Sequence, residues 1–250
     1  MEKQEFSKHI SMRMNKNIEE VFNSILEMGG LVESQLDNAL TALTNSDKNR
    51  ADEVIILDKA VNIAEFEIEK LCTYILARQQ PTASDLRLTI ASIRIATDLE
   101  RMGDEISKVA KMVKFFLKKD EMIAGDFPGY AQLLDMSHRT QQSLYVALDC
   151  FARLTVHDVL SILDEESIVD GLYDEAYKEI LNGLKETPEK AGFILKMLIS
   201  LRAMERVSDH VQNIIEKVVY LINGKDIRVM NNKALVKLIS KMEKQEQEES

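Results

Sequence analysis

The sequence predicts an all-α fold, a tandem repeat of two three-helix bundles with six long antiparallel helices. Apolar residues form 45% of the 250-residue chain, which is enough to fill a sizeable core. Turn-forming and aromatic residues are scarce, with nine Gly, three Pro and 6% aromatic residues, and this scarcity argues against an all-β fold. Apolar positions recur at alternating spacings of three and four residues, which is the periodicity of amphipathic helices.

The first half of the chain contains three apolar stripes, each on one predicted helix. The stripe of the first helix runs through Leu36, Leu40 and Leu43. That of the second helix runs through Val54, Leu57, Val61, Ala64, Ile68, Leu71 and Ile75. That of the third helix runs through Ile95, Leu99, Met102, Ile106, Val109, Val113 and Phe116. Helices with such stripes, joined by short connections, pack as a bundle.

The second half of the chain repeats two of these stripes. Leu144 stands 108 positions after Leu36, and Met204 stands 105 positions after Leu99. The repeated stripes run through Leu144, Leu148 and Phe151, and through Met204, Val207, Val211, Ile214, Val218 and Leu221. We therefore expect two homologous units of three long helices each.

Breaker residues and composition divide the chain into three parts. The richest cluster of Gly and Pro lies within residues 120–130 and separates the halves. We expect the first repeat at residues 1–122 and the second at residues 123–224. After Gly224 the sequence is rich in Lys, Glu and Gln. This composition predicts a polar C-terminal tail at residues 225–250 with one short helix.

Composition and charge disfavour several classes of protein. Acidic residues number 42 and basic residues 32, so the net charge of −10 repels phosphate backbones and we expect no nucleic-acid partner. The two cysteines, Cys72 and Cys150, cannot build a disulfide framework, and we predict both to be buried thiols. The sequence has no signal-peptide pattern and no apolar run of about 20 residues. We expect a cytoplasmic protein.

A pair of acidic residues recurs with the repeat on the third helix of each half. Glu100 and Asp104 lie four residues apart, and Glu205 and Asp209 follow 105 positions later. At about 100° per residue, all four side chains are predicted to point away from the apolar stripe of their helix. A repeated apolar stripe shows only that the two bundles are alike. A polar feature that repeats together with the stripe is more informative, because it is not part of the core.

The second helix of each half carries a companion pair. Asp58 and Asn62 in the first half correspond to Asp170 and Asp174, 112 positions later. Two such pairs on neighbouring helices would place several hard oxygen ligands in a small volume, which suits divalent or ferric ions. Two interpretations stay open here, a cation site in each repeat or ordinary solvated surface balanced by neighbouring arginines.

The signatures of common enzyme classes are absent from the sequence. We find no phosphate-binding glycine loop, no dinucleotide-binding fingerprint and no nucleophile elbow. No Glu-x-x-His occurs, so a di-iron oxidase site lacks its ligands. The histidines form no ligand set, and His210, beside Asp209, is expected at the surface. We predict a protein that is not an enzyme.

Two stretches of the sequence carry a family resemblance. Residues 77–111 read ARQQPTASDLRLTIASIRIATDLERMGDEISKVAK, and residues 201–229 read LRAMERVSDHVQNIIEKVVYLINGKDIRV. Both resemble the PhoU family of bacterial phosphate-uptake regulators, most specifically through the tandem LERMGD and MERVSD segments. The resemblance covers roughly residues 8–230.

This resemblance implies a regulatory role and particular partners. Members of the family are cytoplasmic, usually dimeric, accessories of the high-affinity phosphate ABC transporter. They help its ATPase subunit and a membrane sensor histidine kinase to repress the phosphate-starvation response. They contact the membrane only through these partners. We therefore expect a negative regulator that acts as an adaptor between transporter and kinase. The alternatives are a metal-binding storage or sensing protein and an accessory of a low-affinity phosphate permease.

The resemblance also implies metal ligands, because some members bind metal through acidic ExxxD-type motifs. The ion could be iron, zinc, magnesium or manganese. Carried over to this sequence, the motifs fall on Asp58, Asn62, Glu100, Asp104, Asp170, Asp174, Glu205 and Asp209. Asn62 gives the first half one anionic ligand fewer, and Ser208 stands where the family often has Gly. We thus expect the second-half site to bind more tightly.

Overall fold

The computed structural model describes residues 12–121 and 125–249. These residues form seven α-helices and no β-strand. The helices are α1 Met12–Asn45, α2 Lys48–Gln79, α3 Ala83–Lys118, α4 Tyr130–Arg153, α5 Val159–Glu186, α6 Ala191–Asn223 and α7 Asn232–Glu249. The all-α prediction is confirmed, while the predicted boundary between residues 122 and 123 lies outside the described residues.

The helices pack as two three-helix bundles joined side by side. Helices α1, α2 and α3 contact one another, and so do α4, α5 and α6. Between the bundles, α3 packs along α6 and α1 packs against α4, so that the buried apolar residues form a single core. Helix α6 therefore has neighbours on more than one side, and residues opposite its main apolar stripe can still be buried.

Local chemistry explains where several helices begin and end. The Asp47 carboxylate accepts hydrogen bonds from the backbone N–H groups of Asn49 and Arg50, at 2.8 and 3.3 Å, which caps the start of α2. Gly224 ends α6 with a φ of +74°, a left-handed conformation that costs glycine little.

The C-terminal tail is more ordered than its composition indicates. One short helix was expected, and the structure instead has the 18-residue helix α7. Ile239 and Met242 on α7 are buried, and the helix contacts α5. Apolar residues at a spacing of three give the tail a face to bury, which stabilises a helix that its polar residues alone would not.

Both cysteines are buried, as predicted. Burial raises the pKa of the Cys72 thiol to about 12, because the thiolate would lose its hydration. Among the described residues, no helix combines the length and the apolar character that crossing a membrane requires.

Candidate metal centre

Three carboxylates of the second repeat converge between α5 and α6. Oxygen atoms of Glu166, Asp170 and Asp209 all lie within 4.8 Å of one another. Glu166 and Asp170 are four residues apart on α5 and therefore share one face of that helix, while Asp209 reaches the same place from α6. We call these three residues the α5–α6 carboxylate cluster.

Glu205 lies one turn before Asp209 on α6 and is buried, with 8% of its surface exposed. One of its carboxylate oxygens contacts the guanidinium of Arg202, and the other, Oε2, is buried without a hydrogen-bond partner. Burial and then the charge of Asp209 raise the pKa of Glu205 to about 7. An unsatisfied buried carboxylate oxygen is costly, so a ligand that satisfied Oε2 would be bound favourably.

Two members of the cluster have a raised proton affinity. Burial and the charges of Asp170 and Asp209 raise the pKa of Glu166 above its usual range. Burial and the charge of Asp170 do the same for the pKa of Asp209. Glu166 and Asp209 are thus destabilised as anions by burial and by neighbouring carboxylates, and a cation placed among them would reverse that cost.

The donor set of the second repeat fits a hard metal ion. Carboxylate oxygens are the ligands that Mg²⁺, Mn²⁺ and ferric iron prefer, and Zn²⁺ also accepts them. The cluster offers three such side chains, and Glu205, which is not one of the three, lies close enough for the charges of Asp209 and Asp170 to act on its carboxyl group. The chain thus has residues that could hold a cation at this position.

The first repeat is arranged differently. Burial and then the charges of Asp104, Glu65 and Asp58 raise the pKa of Glu100, so these three carboxyl groups lie near that of Glu100. They do not gather three ligand atoms within 4.8 Å, since the α5–α6 cluster is the one such group in the described part of the chain. Asn62 is exposed.

A buried amide takes part in the first-repeat group. Gln35 is fully buried, and its Nε2 atom lies 3.0 Å from the Gly103 carbonyl oxygen and 3.4 Å from Oδ1 of Asp58. The position that Glu166 occupies in the second repeat is Val54 in the first, 112 positions earlier. The first repeat therefore has an apolar residue where the second repeat has the Glu166 carboxylate.

The structure brings together some of the eight predicted ligands and separates others. Asp170 and Asp209 converge with Glu205 beside them, while Asp174 is exposed and lies outside the α5–α6 carboxylate cluster. Glu166 was missed because its first-repeat counterpart is Val54, although a carboxylate four residues before Asp170 was a readable signal. The metal-binding role of all eight residues stays a prediction.

One expectation about α6 was wrong. His210 was expected at the surface but is buried, and its Nδ1 atom lies 2.9 Å from Oδ1 of Asp98 on α3. The reason is that α3 covers the side of α6 that a free three-helix bundle would expose. Glu205 is buried as well, near Asp170 of α5.

A comparison with protein-family models identifies the family of this chain. The model of the PhoU domain matches residues 25–113 and again residues 133–218. The two matches fall on the two bundles and together span most of the chain. The chain belongs to the PhoU family.

Curated relatives and solved structures agree with this assignment. The phosphate-specific transport system accessory protein PhoU homolog of Pseudomonas putida is 37% identical over 93% of this chain and 90% of its own length. The PhoU protein of Escherichia coli strain K12, described in the same words, is 33% identical over 96% of this chain and 98% of its own.

Two crystal structures of PhoU proteins share the fold. The PhoU protein of Pseudomonas aeruginosa matches with a TM-score of 0.79 and 38% identity, over 84% of this chain and 99% of that one. The phosphate transport system regulatory protein PhoU from Streptococcus pneumoniae matches with a TM-score of 0.75 and 31% identity, over 85% and 98%. This PhoU-family chain is thus similar to proteins of phosphate transport over nearly its whole length.

Proposed function

We propose that this protein is a negative regulator of the phosphate-starvation response and an accessory of a phosphate ABC transporter. The observation that carries the proposal is the PhoU domain matched in both repeats, together with relatives named phosphate-specific transport system accessory proteins over more than nine-tenths of this chain. In this role the protein is a cytoplasmic homodimer that contacts the transporter's ATPase subunit and a membrane sensor histidine kinase. A protein that favours one conformation of the kinase shifts the kinase toward that state without catalysing a reaction itself.

Deletion of the gene tests the regulatory role. In phosphate-rich medium, the deletion strain should express a phosphate-starvation reporter that the parent strain keeps silent. Expression of the full-length protein from a plasmid should restore silence, and expression of an unrelated helical protein should not. A reporter that stays silent in the deletion strain would contradict the proposed function.

Copurification tests the adaptor role separately. The tagged full-length protein, purified from phosphate-rich cells, should bring the transporter ATPase and the sensor kinase with it. If no ABC-transporter ATPase copurifies and a low-affinity permease does, this protein is an accessory of that permease instead.

A second property is favoured by a specific observation. We propose that the α5–α6 carboxylate cluster binds one hard cation, with Glu166, Asp170 and Asp209 as ligands and Glu205 contributing its unpartnered buried oxygen. The support is the combination of three converging carboxylates and one buried oxygen that lacks a partner. The second repeat is the preferred site because the first repeat gathers no such group among its described residues.

Elemental analysis tests the cation proposal. The protein, dialysed against iron, zinc, manganese or magnesium, should retain one of these metals. The Glu166→Ala, Asp209→Ala variant should lose the metal, whereas Asp174→Ala should keep it because Asp174 lies outside the cluster. Equal metal content in all three proteins would show that these carboxylates are ordinary surface.

A further inference from the structure

The first repeat exposes an apolar stripe on the outer side of α2. The most exposed large apolar side chains of this helix are Ile56, Ile63 and Phe66, at 67%, 66% and 60%. At about 100° per residue, they lie within about 80° of one another around the helix and roughly opposite its buried residues Val54 and Val61. We call these three exposed residues the α2 stripe.

The second repeat shows that the fold does not require this stripe. The corresponding positions on α5, 112 residues later, are Ile168, Glu175 and Lys178, all exposed. Two charged residues thus replace two of the three apolar ones on an equivalent helix. Exposed apolar residues that cluster on one surface typically mark an interaction site, and this row is not repeated on the equivalent face of α5.

Carboxylates lie along the flank of α2 that faces α3. Asp58 and Glu65 on α2 and Glu100 and Asp104 on α3 form the first-repeat group described above, and we call them the acidic band. Burial is the largest cause of the raised pKa of Glu100, and the charges of the other band residues raise it further. The charge of Arg101 lowers it. The band thus has an excess of negative charge.

The stripe and the band are continuous on the surface. Asn62 and Glu69, both exposed, lie between Phe66 and the acidic band around the circumference of α2. The outer side of the first repeat therefore presents three apolar side chains, with the exposed Lys59 among them, beside a negatively charged edge. This combination selects for a partner that is apolar on one face and positively charged beside it.

We propose that the α2 stripe and the acidic band dock an amphipathic helix with Lys or Arg residues along one edge of its apolar face. Ile56, Ile63 and Phe66 would be covered by the apolar face, which removes their surface from water. The cations would reach the carboxylates of the band, where opposite charges steer association and set the orientation. A second copy of this chain suits the surface less, because it would bring a second acidic band of the same sign. The inference goes beyond the regulatory role and does not depend on it.

Peptide binding to the full-length protein tests the proposal. The probe is a fluorescein-labelled synthetic helix of about five turns with Leu on one face and Lys on the other, followed by fluorescence anisotropy. We expect it to bind, and we expect the Ile63→Glu, Phe66→Lys variant to weaken binding about tenfold or more because two of three apolar anchors are lost. This variant leaves the net charge unchanged and introduces the residues found at the equivalent positions of α5, so the fold is retained.

Control variants separate the stripe from general attraction to an acidic protein. Leu195→Glu, Ile199→Lys replaces two other exposed apolar residues, on α6, with the same charge balance and should leave peptide binding unchanged. Glu65→Gln, Glu100→Gln should weaken binding and reduce its dependence on salt concentration, because fewer charges are screened. Circular dichroism of each variant checks that helical content is kept.

Several results would overturn the proposal. Equal binding of a scrambled Leu and Lys peptide, or of a helix with Glu in place of Lys, would mean that neither the helical pattern nor the charge is recognised. Unchanged binding by Ile63→Glu, Phe66→Lys would place the contact elsewhere.

If sedimentation shows a dimer that this variant dissociates, the stripe is a self-interface. If phosphatidylglycerol vesicles bind the parent and not the variant, it is a membrane surface. Each of these outcomes leaves the proposed regulatory role open, since the reporter assay tests that role alone.

Discussion

The Nδ1 atom of His210 lies 2.9 Å from Oδ1 of Asp98, and this contact joins α6 of the second repeat to α3 of the first. Both side chains are buried, with His210 6% exposed. Asn213 donates a further hydrogen bond to the same Asp98 oxygen at 3.3 Å. The interface between the two repeats is therefore held by a polar contact as well as by apolar packing.

Removing Asp98 should destabilise the protein. The Asp98→Ala variant leaves the buried His210 and the half-buried Asn213 without their acceptor, so we expect a loss of about 1–3 kcal/mol in the free energy of unfolding. Urea denaturation followed by circular dichroism measures it. Asp164→Ala, at an exposed position, is the control and should stay within about 0.5 kcal/mol of the parent. A parent-like value for Asp98→Ala would mean that the contact contributes little.

Two glycine substitutions should shift stability in opposite directions. A Cβ atom at Gly103 would meet Oε1 of Gln35 at 3.0 Å and Cγ1 of Val61 at 3.4 Å, whereas a Cβ at Gly30 would meet nothing within 4 Å. Gly103→Ala should therefore destabilise by about 1 kcal/mol or more through overpacking. Gly30→Ala should stabilise by about 0.5–1 kcal/mol, because alanine favours the helix. Thermal unfolding of both variants checks the signs, and two shifts of the same sign would contradict the packing argument.

The stability of the metal-free protein should fall between about pH 4.5 and pH 7. Burial raises the pKa of Glu205 to about 7, above its unfolded value, so the folded state binds more protons than the unfolded state across this range. Stability is thus highest below the unfolded pKa and falls as Glu205 ionises. At about 1.4 kcal/mol per pKa unit, the effect is at most about 3.5 kcal/mol.

The Glu205→Gln variant isolates this contribution. In the presence of chelator, its unfolding free energy should depend less on pH over the same range than that of the parent. Chemical denaturation at a series of pH values measures the two slopes. Identical slopes would show that Glu205 does not titrate differently in the folded state.

Added metal should stabilise the parent protein and not the cluster variant. A cation that binds only the folded state at a concentration of about 100 times its dissociation constant raises stability by about 2.7 kcal/mol. We expect such a rise for the parent and for Asp174→Ala, and none for Glu166→Ala, Asp209→Ala. Thermal melts with metal and with chelator compare the three proteins. Melts that do not respond to metal in any of them would contradict a cation site.

The metal-free cluster variant should be no less stable than the metal-free parent. Glu166→Ala, Asp209→Ala removes two carboxylates that repel Asp170, and relief of an i,i+4 repulsion contributes a few tenths of a kcal/mol. The same melts in chelator measure this difference. A variant that unfolds well below the parent without metal would mean that these side chains also support packing.

The sequence by itself determined the helices, the repeat and the family. Each of these depends on information carried within a short stretch, such as the spacing of Leu99, Met102 and Ile106 or the text of residues 77–111. Helical periodicity is local because a helix places residues three and four positions apart on one face, so the pattern can be read without knowing any neighbour. The buried thiols of Cys72 and Cys150 follow from their apolar surroundings in the same way.

Only the tertiary structure decided which polar residues meet. Glu166 lies near Asp170 and Asp209 because α5 and α6 pack together where these side chains project. An alignment of the repeats does not reveal Glu166, because the aligned residue in the first repeat is Val54. His210 is buried because α3 covers a side of α6 that the sequence pattern assigns to solvent. Periodicity describes one helix at a time, whereas burial and ligand geometry depend on how neighbouring helices pack, and that information lies in no single stretch of the chain.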